Sequence, residues 1–350
     1  MVEIGVFSFG DTYPHPVTGQ RQTAYDNLHE LLERIELADR LGLHFFGVGE
    51  HHRPDFSVSA CSTVLAAAAA RTKSIHLGTA TIVLPTDDPI RLFQQFSTLD
   101  LISSGRAELG LGGGVFLESF DLFGPDFADR NWVFEEKIEL IAAANAAETV
   151  SFSGKSRRQV EDHVVWPRPY GGRLDIWQTT GLSEASFGRA ARLGLSVQTG
   201  APASEFGRLA DLVALYRRDY AAAGHAAAPR VALSAHAYVG ESTQQALDTF
   251  FPHYQKYVAN MRLNRGKPEQ TREQFEAIAA DPNSNIIVGD AAQVIAKIRH
   301  QHRQIGHDRH LFQLDWRAVP HADQVRAIEI LAWDVLPEIV DLTVTTEAAA

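Results

Sequence analysis

The chain has 350 residues, of which 45% are hydrophobic and 21% charged, a composition typical of a globular protein with a large core. Its 32 basic and 43 acidic residues give a net charge of −11, which argues against nucleic acid or an anionic membrane as a partner. The single cysteine, Cys61, excludes an internal disulfide framework and indicates a reducing compartment, which we expect to be the cytoplasm. No apolar run reaches the roughly 18 residues of a membrane span, and no signal peptide is recognisable.

Short apolar runs alternate with segments of helical period along the chain. Eight strands are predicted, at Ile4–Phe9, His44–Gly49, Ile75–Val83, Arg106–Leu111, Leu174–Gln178, Leu195–Thr199, Val231–Val239 and His310–Leu314. The helical segments between them include Leu28–Ala38, Cys61–Arg71, Ile90–Ile102, Phe134–Ala147, Glu184–Leu193, Glu205–Ala223, Ala292–Ile305 and Ala322–Leu336. Because each parallel strand needs a crossover, this α/β alternation predicts a (β/α)8 TIM barrel, with a doubly wound open sheet as the alternative.

Three connections are too long to be simple turns: Gly112–Asn131, Val150–Arg173 and Phe251–Asn285. Long ordered loops in compact domains are often lids or binding loops, and we expect these insertions at the C-terminal face of the barrel. We predict one domain over residues 1–340 and a flexible tail over 341–350. An apolar pocket is suggested by aromatic residues of these connections, namely Phe116, Phe120, Phe123, Trp132, Tyr254 and Tyr257.

Reactive groups are expected where the barrel strands end, at their C-terminal side. The second predicted strand ends in Glu50, His51 and His52. A carboxylate with two imidazoles supplies a general base, hydrogen-bond donors or metal ligands. A metal is disfavoured because metal-dependent hydrolases on this barrel usually add a histidine pair at strand one, which here reads Gly5–Phe9. A solvated polar loop is the alternative without a function.

The next three strands end in small or hydroxylated residues. Small residues around Ala80 and Thr81 let a flat ligand approach the backbone, although a plain strand and turn has the same pattern. A phosphate could be held by backbone N–H groups in the stretch of Gly112, Gly113, Gly114, Val115 and Phe116, although glycines also serve tight turns. An anion site or a simple helix cap is indicated by Gln178, Thr179, Thr180, Gly181, Ser183 and Ser186.

Taken in order, these segments resemble the bacterial luciferase-like flavin monooxygenases over almost the whole chain. The matching motifs are Glu50–His52, Gly78–Pro85, Leu99–Asp100 with Ser104–Arg106, Glu118–Phe120 with Leu122–Gly124, Arg189–Leu195, Gly306–Asp308, and Phe9–Asp11 with Pro16–Gly19. The resemblance implies a (β/α)8 barrel that binds flavin mononucleotide (FMN), usually reduced, at its C-terminal mouth. In that family reduced flavin and dioxygen give a C4a-hydroperoxide that oxygenates an organic substrate.

The resemblance also implies individual roles and partners. His51 matches a histidine that assists catalysis, a role that His52 could share, and Glu50 matches a carboxylate near the flavin ring. Ala80 and Thr81 match a pair that lies against the ring and is joined by a non-prolyl cis peptide bond. The implied partners are dioxygen, a small apolar substrate and a separate NAD(P)H-dependent flavin reductase. A homodimer is also implied, for which the helix at Val64–Ala70 offers a surface of small residues.

One position departs from the family pattern. Members commonly have an arginine that contacts the flavin phosphate in the loop after strand four, where this chain has Gly113. The phosphate then depends on backbone N–H groups and hydroxyls, which predicts weak FMN binding. The departure leaves room for an oxidoreductase that uses the deazaflavin F420 and transfers hydride without oxygen. A non-catalytic flavin-binding barrel is the third alternative, against which the retained Glu50–His52 cluster argues.

Overall fold

The computed structural model describes residues 1–263 and 269–342, so that residues 343–350 of the predicted tail lie outside the described residues. The strands in these ranges are β1 (Glu3–Ser8), β2 (Phe45–Val48), β3 (His76–Thr79), β4 (Ile82–Val83), β5 (Ala107–Gly112), β6 (Thr149–Phe152), β7 (Val160–Val164), β8 (Asp175–Thr179), β9 (Ser196–Thr199), β10 (Val231–Val239), β11 (Ile286–Gly289) and β12 (Arg309–Gln313).

The helices in the same ranges are α1 (Ala24–Arg40), α2 (Cys61–Ala69), α3 (Pro89–Ser103), α4 (Leu117–Phe123), α5 (Arg130–Ala146), α6 (Glu184–Leu193), α7 (Phe206–Ala223), α8 (Thr243–Leu263), α9 (Arg272–Ala280), α10 (Ala291–Ile305), α11 (His321–Ile330) and α12 (Leu336–Ile339). A π-helical stretch, Leu331–Val335, joins the last two. None of these helices is both long and apolar enough to cross a membrane.

Eight parallel strands close into a barrel in the order β1, β2, β3, β5, β8, β9, β10 and β12. The closure is completed by β12, which pairs in parallel with both β10 and β1. This architecture confirms the predicted (β/α)8 fold and excludes the open doubly wound sheet. The predicted strand at Ile75–Val83 is divided into β3 and β4, and β4 continues the pairing with β5.

The strands bury apolar side chains on both sides of the sheet. Inside the barrel, one cluster joins residues from strands all around it, namely Phe7, Phe45, Ala80, Trp177, Ala232 and Leu311. Outside it, the helices pack their apolar faces on the sheet, as Leu31 and Ile35 of α1 do with no exposed surface. The barrel is therefore a filled core, and space for a ligand is left only where the strands end.

A buried ion-pair cluster closes the N-terminal end of the barrel. Arg309 on β12 donates to both carboxylate oxygens of Glu108 on β5, at 2.6 and 2.8 Å, and to Glu3 on β1 at 2.6 Å. Arg309 is 2% exposed and Glu108 is 1% exposed. Burial raises the pKa of Glu108, but the charge and hydrogen bonds of Arg309 outweigh it and hold that pKa well below its usual range.

We expect Arg309→Met to lower the free energy of unfolding by about 3–5 kcal/mol, because it leaves the buried carboxylate of Glu108 with only the half-exposed imidazole of His76, 3.0 Å away, as a partner. Urea unfolding at pH 7 measures this loss. The double variant with Glu108→Leu removes both charges and should recover much of the stability. A single variant as stable as the unmodified protein would contradict this account, and so would a double variant that recovers nothing.

The connection at Phe251–Asn285 contains more regular structure than its sequence indicates. The helix α8 already begins at Thr243 and continues through Pro252, and α9 follows at Arg272–Ala280. Aromatic side chains hold the two helices together, with the ring centroids of Phe250 and Phe275 6.2 Å apart. A further parallel strand, β11, pairs with the C-terminal half of β10. This insertion therefore covers the side of the barrel mouth formed by β10.

The other two long connections also carry ordered elements. Val150–Arg173 contains the antiparallel hairpin of β6 and β7. Gly112–Asn131 contains α4, which begins five residues beyond the last residue of β5. The second of these connections lies directly at the mouth of the barrel, because its first residues are the glycines in which β5 ends.

Candidate active site

A cavity of about 470 Å³ opens at the C-terminal ends of the barrel strands. This volume lies within the range of roughly 300–1,000 Å³ that is usual for small-molecule sites. The cavity is lined by Phe7, Phe9, Glu50, His51, His52, Ala80, Thr81, Val83, Gly112, Gly113, Gly114, Val115, Phe116, Glu118, Ser119, Thr179, Thr180, Gly181, Gln198, Thr199, Gly200, Ser234, His236 and Asn285.

Most of the residues singled out in the sequence meet at this cavity. Those at its wall are Glu50, His51, His52, Ala80, Thr81, Gly112, Gly113, Gly114, Val115, Phe116, Thr179, Thr180 and Gly181. Three others, Gln178, Ser183 and Ser186, are not among the lining residues. The side chain of Gln178 is fully buried and donates to the carbonyl oxygen of Ser186 at 2.8 Å. This hydrogen bond joins the end of β8 to the first turn of α6.

Glu50 connects the end of β2 to the segment between β3 and β4. Its backbone N–H donates to the carbonyl oxygen of Thr81, and its Oε2 accepts from the backbone N–H of Val83, both at 2.9 Å. Its Oε1 lies 2.6 Å from Nε2 of His52. The peptide bond between Ala80 and Thr81, in the middle of this segment, is cis, as the resemblance implies. Glu50 thus holds this wall of the cavity through both its backbone N–H and its side-chain carboxylate.

His51 lies in an aromatic setting. Its ring stacks on Phe56 at a centroid distance of 4.0 Å and contacts Phe9 and Phe116 at 4.5 and 5.4 Å. Burial lowers the pKa of His51 to about 4. Its Nδ1 is buried and has no hydrogen-bond partner in the part of the chain that the structure describes. At neutral pH the imidazole is therefore uncharged, and one ring nitrogen is left for a ligand.

The lowered pKa of His51 gives stability a defined pH dependence. An unfolded chain protonates this histidine near pH 6.5, but the folded chain does so only near pH 4, so that stability is lost as pH falls between these values. We expect His51→Gln to remove about 1–2 kcal/mol from the difference in unfolding free energy between pH 7 and pH 5. Urea unfolding at both pH values tests this, with His163→Gln, at an exposed position of β7, as the control. An unchanged difference would be inconsistent with a buried, neutral His51.

The glycines at the end of β5 form the adjoining part of the wall, since Gly112 pairs with Val83 of β4. A Cβ atom on Gly112 would lie 2.6 Å from Oγ1 of Thr81, and one on Gly114, which has φ +73°, would lie 2.6 Å from a methyl group of Val83. A Cβ atom on Gly113 would meet nothing within 4 Å, and its φ is not in the left-handed region. Gly113 therefore has room for a side chain, whereas its two neighbours are restricted to glycine.

Polar groups from β8 and its following loop line the cavity next to the glycines, because β8 is the neighbour of β5 in the barrel. Oγ1 of Thr180 is buried and lacks a hydrogen-bond partner within the described residues. No lysine or arginine is among the described residues that line the cavity. A phosphate bound here would thus meet backbone N–H groups and hydroxyls.

None of the residues predicted from the sequence to form the site lies on β9 or β10, although both strands line the cavity. Gln198 and Thr199 from β9, and Ser234 and His236 from β10, line it together with Asn285. A signal was available, because Ser234 and His236 are two residues apart and so share one face of an otherwise apolar strand. The strand reads as buried core, and its two polar residues were not separated from that pattern.

The aromatic residues that suggested an apolar pocket have different positions. Only Phe116 of the six lines the cavity. Tyr254 and Tyr257 pack in the cluster under α8 and α9, whereas Phe123 remains exposed at the surface. The cavity owes its aromatic character instead to Phe7 on β1 and to Phe9, which directly follows this strand and packs against the interior cluster.

The cavity fits a flavin in three respects. The wall at Ala80–Thr81 is made of small side chains that a flat ring can approach closely. The unpartnered Nδ1 of His51 and Oγ1 of Thr180 can bond to polar atoms of a ligand. The backbone at Gly112 and Gly113 is accessible from the cavity and can contact an anionic group. A metal site is not indicated, since the described residues contain no cluster of three or more suitable ligands.

Comparison with known proteins agrees with this fold. The sequence model of the luciferase-like monooxygenase family matches residues 2–309. The chain belongs to this family and is an oxidoreductase enzyme. It is 26% identical to a luciferase-like monooxygenase of Escherichia coli, over 95% of this chain and 97% of the relative. It is 23% identical to the oxygenase component of the flavin-dependent trigonelline monooxygenase of Acinetobacter baylyi, over 84% and 85% of the two chains.

Solved structures show the same barrel. The crystal structure of monooxygenase RslO1 from Streptomyces bottropensis matches with a TM-score of 0.83 and 25% identity, covering 96% of this chain and 99% of that one. The oxygenating constituent of a Baeyer–Villiger monooxygenase of Pseudomonas putida, in complex with FMN, has a TM-score of 0.76 at 18% identity over 96% and 99%. An F420-dependent tetrahydromethanopterin reductase of Methanopyrus kandleri has a TM-score of 0.69 at 18% identity over the same shares. The fold is thus shared by proteins that use different flavins.

Proposed function

We propose that the protein is the oxygenase of a two-component monooxygenase, which takes up reduced FMN and uses dioxygen to oxygenate a small apolar organic substrate. The observation that carries this proposal is the joining of Glu50, His51 and the Ala80–Thr81 wall in one cavity at the barrel mouth. The site residues and the single barrel domain over 1–340 are part of the same proposal. The retained cluster of polar side chains also favours a catalytic role over flavin binding alone.

Each wall of the cavity has its own task. When bound, reduced FMN supplies the electrons that activate dioxygen. The Ala80–Thr81 segment, held by Glu50, positions the flat ring, and the loop at Gly112–Phe116 with Thr180 holds its phosphate. Neutral His51 exchanges a proton with the ligand through its free ring nitrogen. Phe9, Phe56 and Phe116 exclude water around this imidazole, which favours proton transfer to the substrate over transfer to solvent.

The partners follow from this function. Because the described residues of the lining include no lysine or arginine for the phosphate, we expect FMN to bind transiently and to be delivered by a separate NAD(P)H-dependent reductase. One relative is itself named an oxygenase component. The single cysteine, which is buried and free, agrees with a cytoplasmic location. We further propose a homodimer that uses α2, in which Thr63 and Ala67 are exposed small residues. Light scattering at micromolar concentration should then give twice the chain mass of 38.5 kDa.

A second candidate is an F420-dependent oxidoreductase. The described lining residues include no lysine or arginine. An FMN-dependent member of the family commonly has an arginine for the flavin phosphate at the position of Gly113, so its absence favours this second candidate. Such an enzyme would transfer hydride between the deazaflavin and its substrate and would not consume dioxygen. The two candidates therefore differ in a reaction that is easily measured.

The test is rapid mixing of the protein and photoreduced FMN with air-saturated buffer. We expect a transient absorbance that differs from both reduced and oxidised FMN and lasts longer than the oxidation of free flavin. Bovine serum albumin at the same concentration is the protein control, and reduced F420 in place of FMN is the cofactor control. Oxidation of FMN at the rate seen with albumin would overturn the proposal. Substrate-dependent hydride transfer with F420 alone would establish the second candidate.

A further inference from the structure

A chain of hydrogen bonds leads from the end of β12 to the cavity. His236 on β10 and Gln313 on β12 are register partners on neighbouring strands. Nδ1 of His236 lies 2.9 Å from Oε1 of Gln313, and Nε2 of Gln313 donates to Oδ1 of Asp315 at 3.3 Å. Asp315 and Gln313 are each 2% exposed, whereas His236 is partly exposed at the cavity wall. The chain thus has a buried end and an end at the ligand site.

The direction of these hydrogen bonds is determined by the carboxylate. Oδ2 of Asp315 accepts from the hydroxyl of Ser8 at 2.5 Å and from the backbone N–H groups of Phe9 and Gly10 at 3.0 and 3.1 Å. Since a carboxylate surrounded by donors acts as an acceptor, the amide group facing its other oxygen must be the NH2 group of Gln313. Oε1 of Gln313 then faces His236, and it can only accept.

The tautomer of His236 follows from this direction. Nδ1 must carry the proton that Oε1 of Gln313 accepts. Burial lowers the pKa of His236 to about 4, so the ring is neutral at pH 7 and Nε2 has a free lone pair. Nε2 has no hydrogen-bond partner among residues 1–263 and 269–342. Trp316 packs edge-on against the ring with a centroid distance of 3.8 Å and so restricts its rotation.

A hydroxyl donor lies beside this acceptor. The hydroxyl oxygen of Ser234 accepts from Nε2 of Gln198 at 3.0 Å, which leaves its proton available to the cavity. Ser234 and His236 point to the same side of β10, with about 6–7 Å between their Cα atoms. Elsewhere the cavity wall near the barrel axis is aromatic, with Phe7 and Phe9. The cavity thus combines polar groups of β9 and β10 with the aromatic side chains of Phe7 and Phe9, a lining that can bind a flat ligand and orient it through a polar group.

We propose that Nε2 of His236 accepts a hydrogen bond from the substrate and selects aromatic substrates that carry a hydroxyl or N–H group, with Gln313 and Asp315 as positioning residues. The inference rests on the proposed function for the statement that the ligand is an oxygenation substrate. The selectivity itself depends only on the cavity. A compound without a hydrogen-bond donor removes water from Nε2 but leaves its lone pair unpaired, so such a compound binds more weakly than one that carries the donor.

The test uses protein labelled with 15N in its histidines, without flavin. Two-bond 15N–1H correlation spectra should show Nδ1 of His236 as the protonated nitrogen and Nε2 as the unprotonated one, with His236→Phe used to assign the signals. Gln313→Leu should give a mixture of the two tautomers. If Gln313 only supported the fold, Gln313→Leu would not change the tautomer of His236, so this spectral change distinguishes the positioning role from a structural one.

Selectivity is measured with 2-naphthol and its methyl ether, 2-methoxynaphthalene, as probes. We expect 2-naphthol to bind about tenfold more tightly, the effect of one hydrogen bond, and to shift the Nε2 signal. His236→Phe should abolish this preference, whereas the control His163→Phe, at an exposed position of β7, should retain it. The proposal is overturned by an Nε2-protonated ring, by equal affinities for the two probes or by a preference that survives in His236→Phe. None of these readouts needs FMN or dioxygen. If the protein prefers 2-naphthol but the rapid-mixing experiment with reduced FMN fails, only the proposed oxygenase function is overturned.

Discussion

Replacing His51 by alanine should lower turnover by about 10²–10⁴-fold, the range for loss of a general acid or base. The imidazole is neutral at pH 7, lines the cavity and keeps one ring nitrogen unpartnered in the described structure. Alanine leaves no group there that can exchange a proton with the ligand. Turnover is measured with reduced FMN in excess, on a substrate found by screening, so that weak cofactor binding does not limit the rate.

Two further variants separate this role from a structural one. His51→Gln keeps a polar group in the same aromatic setting and should remain folded with low activity, whereas His163→Ala, at an exposed position of β7, should be fully active. Urea unfolding of each variant shows whether the fold survives. Turnover of folded His51→Ala that equals that of the unmodified protein would exclude the proposed role of His51.

Introducing arginine at Gly113 should strengthen FMN binding by about ten- to a hundredfold, which is the effect of a charge-assisted bond of 1.5–3 kcal/mol. The structure provides the space, since a Cβ atom at Gly113 meets nothing within 4 Å. Its φ also lies outside the left-handed region, so arginine adds no backbone strain. Because the unmodified protein lacks this arginine, we expect it to bind FMN weakly and to purify largely as colourless apoprotein.

The comparison needs a ligand control and a side-chain control. Riboflavin has the same ring but no phosphate, and its affinity should not rise in Gly113→Arg. Gly113→Gln has a neutral side chain of similar reach and should give a smaller gain for FMN than arginine does. Calorimetric titration of the unmodified apoprotein and of both variants with each of the two ligands measures these affinities. A folded Gly113→Arg variant with no gain for FMN over riboflavin would show that Gly113 does not face the phosphate.

The barrel could be predicted from the sequence because its signals are local and repeated. Each strand is a short apolar run between turn residues, and each helix that follows has a period of 3.6, so one missed boundary does not change the count. The helix α8 was not recognised because Pro252 stands in its interior, where proline normally ends a helix. Its aromatic contacts with Phe275 and Trp316 compensate, and such contacts across the fold are invisible in a sequence.

The candidate site was accessible from the sequence only on one side. Glu50, His51 and the glycines after β5 stand at strand ends within recognisable motifs, and the cavity contains all of them. His236 gives only the weaker signal of a polar residue in an apolar strand, because its significance depends on Gln313 of a neighbouring strand and on Asp315 beyond it. These residues are 77 and 79 positions away in the chain, and only closure of the barrel brings them together.

The most direct test of the central claim is a crystal structure of the protein soaked with FMN under dithionite in the absence of oxygen. The account predicts the flavin ring against Ala80 and Thr81, with His51 beside it and the phosphate near Gly112, Gly113 and Thr180. A ring bound at another place, or a cavity that remains empty while reduced FMN saturates the protein in solution, would contradict the assignment of this cavity as the flavin site of a monooxygenase.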